Sequence, residues 1–151
     1  MSRGYKIVGT RWLDINHGDD KTPNYRSRFV AKEFNDGQDG PGLFAATPPL
    51  EALRILISLA AEVTGLDEEE KILMISDVAR SFFEADMTRS LCIVLPSEAL
   101  EPGEENLDLV GYHKKSLYGT RDAAANFQKE VGSRMKSAGF YQSPYNPCTY
   151  Y

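Results

Sequence analysis

The chain has 151 residues, enough for one domain with its own core or for part of a larger one. Hydrophobic residues make up 42%, which excludes a disordered segment, and no apolar stretch approaches the length of a membrane span or of a signal-peptide core. The net charge of −5 argues against a nucleic-acid binder until its distribution is considered: residues 67–70 and the acidic positions of 98–108 carry nine negative charges, which leaves +4 on the rest.

In chain order, residues 5–15 hold the apolar and aromatic residues of a strand (Tyr5, Ile7, Val8, Trp12, Leu13, Ile15). Asn16 to Asp20 is a turn signal, and Tyr25 to Phe34 reads as the returning strand of a β-hairpin. Asn35 to Pro41 is a Gly- and Asp-rich loop. Thr47 then suits an N-cap, with Pro48 at the first helical position and Glu51 in the first turn. Leu50, Leu53, Leu56, Ile57, Ala60 and Val63 recur at helical spacing, and Gly65 suits the position after the helix. An acidic loop follows.

Ile72-Leu73-Met74-Ile75-Ser76 reads as a buried strand that ends at Asp77. A carboxylate at the mouth of such a strand is costly unless a metal or strong hydrogen bonds compensate its charge. The alternative reading of Asp77 is a helix N-cap. Residues 78–86 turn into a short helix, in which Phe82 and Phe83 read as core residues. Leu91 to Leu95 is a strand closed by Pro96, residues 97–108 are an acidic loop, and Leu109 to His113 is another strand.

The block Lys114-Lys115-Ser116-Leu117-Tyr118-Gly119-Thr120-Arg121 is basic, turn-like and aromatic, which suits a nucleotide or a nucleic-acid strand. Between Gly111 and Lys136 six basic residues face two acidic ones, and a solvated basic helix face fits that pattern equally. Asp122 can cap a second helix, Phe127, Val131 and Met135 share one face of it, and Gly139 can end it. Tyr141 to Pro147 is loop-like, and Cys148 to Tyr151 begins a strand. Cys92 and Cys148 lie far apart, read as free thiols of a reducing compartment, and form no familiar zinc spacing with the two histidines. Strands and helices mix without a clean βαβ repeat, so the fold class is α+β.

Six blocks in this order resemble the reverse transcriptase of copia-type LTR retrotransposon Pol polyproteins (Pseudoviridae). Val8-Gly9-Thr10-Arg11-Trp12 is similar to V-G-T-[KR]-W, Tyr25 to Lys32 to Y-K-A-R-L-V-A-K, and Leu50 to Leu56 to L-E-S-I-R-I-L. Asp77 to Phe82 is similar to D-V-K-T-A-F, Lys115 to Gly119 matches K-S-L-Y-G, and Gly139-Phe140 with Asn146-Pro147-Cys148 matches G-F…D-P-C. The resemblance implies a fingers hairpin and loop over about residues 5–46 and fingers with an incomplete palm over 47–151. It implies template-directed deoxynucleotidyl transfer by two Mg²⁺ ions, with Mn²⁺ as a substitute. Asp77 would be the first metal-binding carboxylate and the Val78 carbonyl a second-metal ligand. Arg28 would contact the triphosphate, Phe82 would gate the sugar, and Tyr118 and Gly119 would line the nucleotide pocket, although a plain turn glycine and an exposed strand arginine are the simpler readings. Lys114, Lys115 and Arg121 would face the nucleic-acid backbone. The implied partners are an RNA or DNA template with primer, deoxynucleoside triphosphates and the remaining Pol regions (palm hairpin, thumb, RNase H, integrase), in cytoplasmic virus-like particles and without a membrane.

The chain departs from the motifs in several places. The Y-[VA]-D-D hairpin is absent, so the chain alone is expected to lack polymerase activity. Glu33 stands where glycine is usual, Ala79-Arg80-Ser81 replaces K-T-A, Asp122 to Phe127 replaces Q-A-P-R-A-W, and Gly42-Leu43-Phe44 replaces D-Y-x-E-T-F. These departures suggest divergence or decay. The alternative is therefore a degenerate, non-catalytic relic acting at most as a nucleic-acid-binding module.

Overall fold

A computed structural model describes residues 4–34, 37, 43–61, 78–105 and 107–151. The strand expected at Ile72–Ser76, Asp77 itself, Val63 and Gly65, and all of the Asn35–Pro41 loop but Gly37 lie outside the described residues. The elements in order are β1 (Lys6–Val8), β2 (Thr10–Asn16), β3 (Tyr25–Ala31), α1 (Leu50–Ala61), β4 (Leu91–Val94), β5 (Val110–Tyr112) and α2 (Ala123–Ser137), with single 3₁₀ turns at Ser81–Glu84 and Ser97–Ala99. The class is mixed α+β, as the sequence predicts.

The strand expected over residues 5–15 is two strands. β1 joins a three-stranded sheet in the order β1-β4-β5, parallel to β4, while β2 pairs antiparallel with β3 from Thr10↔Ala31 to Asn16↔Tyr25. The break falls at Gly9, whose carbonyl accepts the Lys32 N–H at 2.8 Å, so the chain leaves one sheet and enters the other within one residue. The hairpin loop is closed by side chains. Asn16 Oδ1 accepts the amides of Gly18 and Asn24, and Asp19 Oδ1 accepts those of Lys21 and Thr22. β3 ends at Ala31, three residues before the expected Phe34.

α1 begins at Leu50, not beside Thr47. A residue that precedes proline is pushed out of helical geometry, and Pro48 precedes Pro49, so the helix can start only beyond the pair. Its first turn is closed by the Ala52 N–H on the Pro49 carbonyl at 3.0 Å. The Ser81–Glu84 turn stands where a short helix was expected. β4 stops before Pro96 and α2 gives way to Gly139 at φ +95°, both as expected. Tyr141 to Pro147 is a loop, as expected, and among the described residues no strand begins at Cys148; the segment folds back through reciprocal amide–carbonyl bonds between Tyr141 and Tyr151 and an isolated bridge between Gln142 and Tyr150.

The core is Val8, Ala31, Leu91, Ile93 and Leu117, flanked by Phe29 and Met87. Leu91 and Leu117 are almost wholly enclosed, and each such side chain contributes about 1.5–3 kcal/mol. This core gathers β1, β3, β4 and the Leu117 segment at one place, so the hairpin and the Tyr118–Gly119 bend share a foundation. Cys92 is buried and Cys148 half-buried, and neither is in a disulfide. Among the described residues no helix is long and apolar enough to cross a membrane.

Candidate active site

The segment after Asp77 and the basic block near Tyr118 are far apart in sequence but paired in space. Ser116 donates its N–H to the Ala85 carbonyl and Met87 donates to the Lys114 carbonyl, both at 2.8 Å. The Phe82 ring lies 4.7 Å from the Tyr118 ring and 6.2 Å from Phe127 on α2, and the Phe83 ring stands edge-on to Tyr118 at 5.9 Å. Phe82 is thus half-buried against the ring of Tyr118, joining the core reading to the proximity that a nucleotide pocket needs.

The β2–β3 hairpin is tied to the same bend. Ala31 donates its N–H to the Tyr118 carbonyl at 2.7 Å, and Glu33 donates to the Gly119 carbonyl at 3.3 Å. Gly119 has φ +84°, and a Cβ there would stand 2.0 Å from the Ala31 carbonyl oxygen. The residue must be glycine both for the left-handed backbone and for this close approach. Gly119→Ala is expected to destabilise the fold by about 3 kcal/mol or more, read as the shift of the urea unfolding midpoint.

Between hairpin and bend lies a cleft of about 510 Å³. Trp12, Arg26 and Arg28 line it from the hairpin, Arg80 and Phe83 from the segment after Asp77, and Tyr118 from the bend. Among the described residues no carboxylate lines it, and the three guanidinium groups give this lining a positive field suited to an anion. Arg28 sits opposite Leu13 and Arg26 opposite Ile15, one period of two apart, which carries both arginines on the same strand face. Arg80 has φ +54° and ψ +37°, and it is the one non-glycine residue with positive φ among the described residues. That conformation costs a residue with a Cβ about 1–2 kcal/mol.

Lys114, Lys115 and Arg121 differ in their settings. Lys114 is exposed. Lys115 is exposed too, but its ammonium lies 2.7 Å from the Asp86 carboxylate, which raises its pKa. Arg121 is half-buried, and its backbone N–H donates to the Glu33 carboxylate at 2.9 Å. Val78 is exposed.

Beneath the bend lies a charged network that sequence reasoning missed. Arg89 meets the Glu33 carboxylate with two parallel bonds of 2.8 and 2.9 Å and the Asp122 carboxylate with one of 2.6 Å. Lys6 lies 3.3 Å from Glu33. Asp122 also accepts from the Asn126 amide, which donates to the Ser116 hydroxyl at 3.1 Å. Burial disfavours the Glu33 charge, but the bonds from Arg89 and from the Arg121 amide outweigh it and hold the carboxyl down at about 2. Asp122 is lowered against its own burial by the same guanidinium. Asp122 occupies the residue before α2, yet its side chain makes no capping bond. The stronger charge-assisted bond to Arg89 takes it instead. Glu33 and Asp122 are both departures from the family motifs, which marks them singly in the sequence, but their meeting on Arg89 is visible only in the fold.

The family described as Reverse transcriptase (RNA-dependent DNA polymerase) matches residues 1–151, and the chain belongs to that family. It is similar to the Retrovirus-related Pol polyprotein from transposon TNT 1-94 of Nicotiana tabacum, at 29% identity over 155 residues that cover 100% of this chain and 11% of that polyprotein. This agrees with the copia-type resemblance carried by the six motifs. No solved structure matches the chain.

Reverse transcriptases use divalent metal ions. Among the described residues no group of three or more His, Cys, Asp or Glu side chains is placed to hold one. The Asp77 carboxylate and Val78 carbonyl are hard oxygen donors of the kind Mg²⁺ takes, but two donors are fewer than an octahedral ion needs.

Proposed function

We propose that this chain supplies the nucleotide-gripping half of a retrotransposon reverse transcriptase, with fingers over about residues 5–46 and part of the palm beyond. One observation carries the reading: the segment following Asp77 and the Tyr118–Gly119 bend are paired along their backbones and share an electropositive cleft with the Arg28 strand. In this reading Arg28 grips the triphosphate, Tyr118 and Gly119 bound the base and sugar, and Phe82 lies beneath the sugar. Asp77 and the Val78 carbonyl contribute to holding Mg²⁺, which supplies charge neutralisation at the reacting phosphate. The other ligands come from substrate oxygens, water and carboxylates of the rest of Pol. Lys114, Lys115 and Arg121 lie along the path of the primer–template backbone, with Lys115 exchanging Asp86 for phosphate. Assembly takes place in cytoplasmic virus-like particles.

The convergence of Glu33 and Asp122 on one arginine supports this reading over a decaying relic. Two departures that each bury a carboxylate against the same guanidinium are matched in charge, whereas unconstrained drift tends to leave buried charges unmatched.

The test is primer extension on an RNA template by a Pol polypeptide that contains this chain together with the palm hairpin and thumb. Extension that requires deoxynucleotides and Mg²⁺ is expected, and its failure under conditions that support related polymerases would refute the reading. In the same assay Phe82→Ala should raise ribonucleotide incorporation relative to deoxynucleotide about tenfold or more, because the sugar loses the ring that crowds a 2′-hydroxyl. An unchanged ratio would remove Phe82 from the sugar site.

A further inference from the structure

We propose that Arg80 is an additional phosphate-gripping residue of this cleft, which holds the polyphosphate of the incoming nucleotide together with Arg28. The inference rests on the nucleotide reading above and deepens it. The D-V-K-T-A-F motif has lysine and threonine where this chain has Ala79 and Arg80. The cation is therefore not lost but moved one residue along. The move is conformationally costly: Arg80 sits in the left-handed region, where glycine would be at ease. It also carries an electrostatic cost, because Arg80 lines the same cleft as Arg26 and Arg28, and among the described residues no carboxylate lines it. Among the described residues none of the three has an ion-pair partner. A multiply charged anion relieves the like-charge crowding, the backbone strain marks the residue as held in place for a task, and a planar guanidinium engages phosphate oxygens through two parallel bonds.

The test uses the 151-residue chain, with calorimetric titration and the fluorescence of Trp12, its single tryptophan, which lines the cleft. The probes are inorganic tripolyphosphate, dATP and a short oligodeoxynucleotide without a 5′-triphosphate. Arg80→Gly suits the left-handed backbone and removes the guanidinium with its aliphatic stem. It should leave the melting temperature unchanged or higher and weaken tripolyphosphate and dATP about tenfold, while Arg80→Lys keeps part of the affinity. Arg28→Gln provides the reference. If Arg28→Gln loses tripolyphosphate and Arg80→Gly does not, the role of Arg80 is refuted and the nucleotide reading stands. If Arg80→Gly weakens only the oligonucleotide, Arg80 is a backbone contact and the proposal is wrong. If the parent chain binds neither tripolyphosphate nor dATP, the nucleotide reading falls and this inference with it.

Discussion

Replacing Arg89 with alanine is expected to destabilise the domain by about 3 kcal/mol, measured as the loss in urea unfolding free energy at neutral pH. The guanidinium stands between two carboxylates whose side chains are 1% and 4% exposed. Without it Glu33 and Asp122 are buried charges close to each other, keeping Lys6, the Arg121 backbone amide, the Asn126 amide and the Thr88 hydroxyl as donors. Breaking a buried pair from one side costs about 3–5 kcal/mol, and the lower end applies because a third of the Arg89 side chain reaches solvent. The Arg134–Glu130 pair, one helical turn apart on the exposed face of α2, should by contrast contribute little. Acid provides a second signature. Glu33 ionises at about 2 in the folded chain against an ordinary value of 4.5. Its stabilisation is therefore complete above pH 4.5 and disappears as the pH falls from there through 2. The lowered pKa of Asp122 acts in the same direction. Arg89→Ala should flatten this acid-limb slope as well as lower the plateau. An unfolding free energy within 0.5 kcal/mol of the parent, a roughly neutral substitution by the usual scale, would mean that the network does not anchor the bend.

How much of this was legible in the sequence depended on whether the cause was local. β4, β5 and the end of α2 follow from punctuation within a few residues, namely Pro96, the apolar run before His113, and Gly139. The split at Gly9 was not legible, because what separates β1 from β2 is the parallel partner β4, more than eighty residues away. α1 was found, but its start was misplaced because the Pro48-Pro49 pair outweighs the capping signal of Thr47. In the site, Phe82, Tyr118 and Arg28 were singled out by motif; Arg28 and Tyr118 line one cleft, whereas the aromatic that lines it from the Ser81–Glu84 turn is Phe83, and Phe82 packs against the Tyr118 ring. Arg26, Arg80 and Trp12 line that cleft too; each lies inside a motif block, but the resemblance assigned none of them a role, and only the folded arrangement brings them together. The Arg89 network eluded the reading for the reason that applied to β1: Glu33 and Asp122 are 89 positions apart, and only folding makes them neighbours.

The largest functional effect is expected at Asp77. Asparagine has nearly the shape of aspartate but no charge, so Asp77→Asn tests the anionic oxygen as a metal donor with little change in side-chain volume. Losing one hard ligand at a reacting phosphate removes several kcal/mol of transition-state stabilisation, which corresponds to a rate decrease on the order of 10³-fold or more. Nucleotide affinity should fall far less, since in this account Arg28 and Arg80 hold the polyphosphate. The decisive measurement is single-turnover primer extension by the Pol polypeptide carrying Asp77→Asn, compared with its parent at saturating deoxynucleotide and Mg²⁺. Loss of extension with primer–template binding retained is the predicted result, and extension at the parental rate would contradict it.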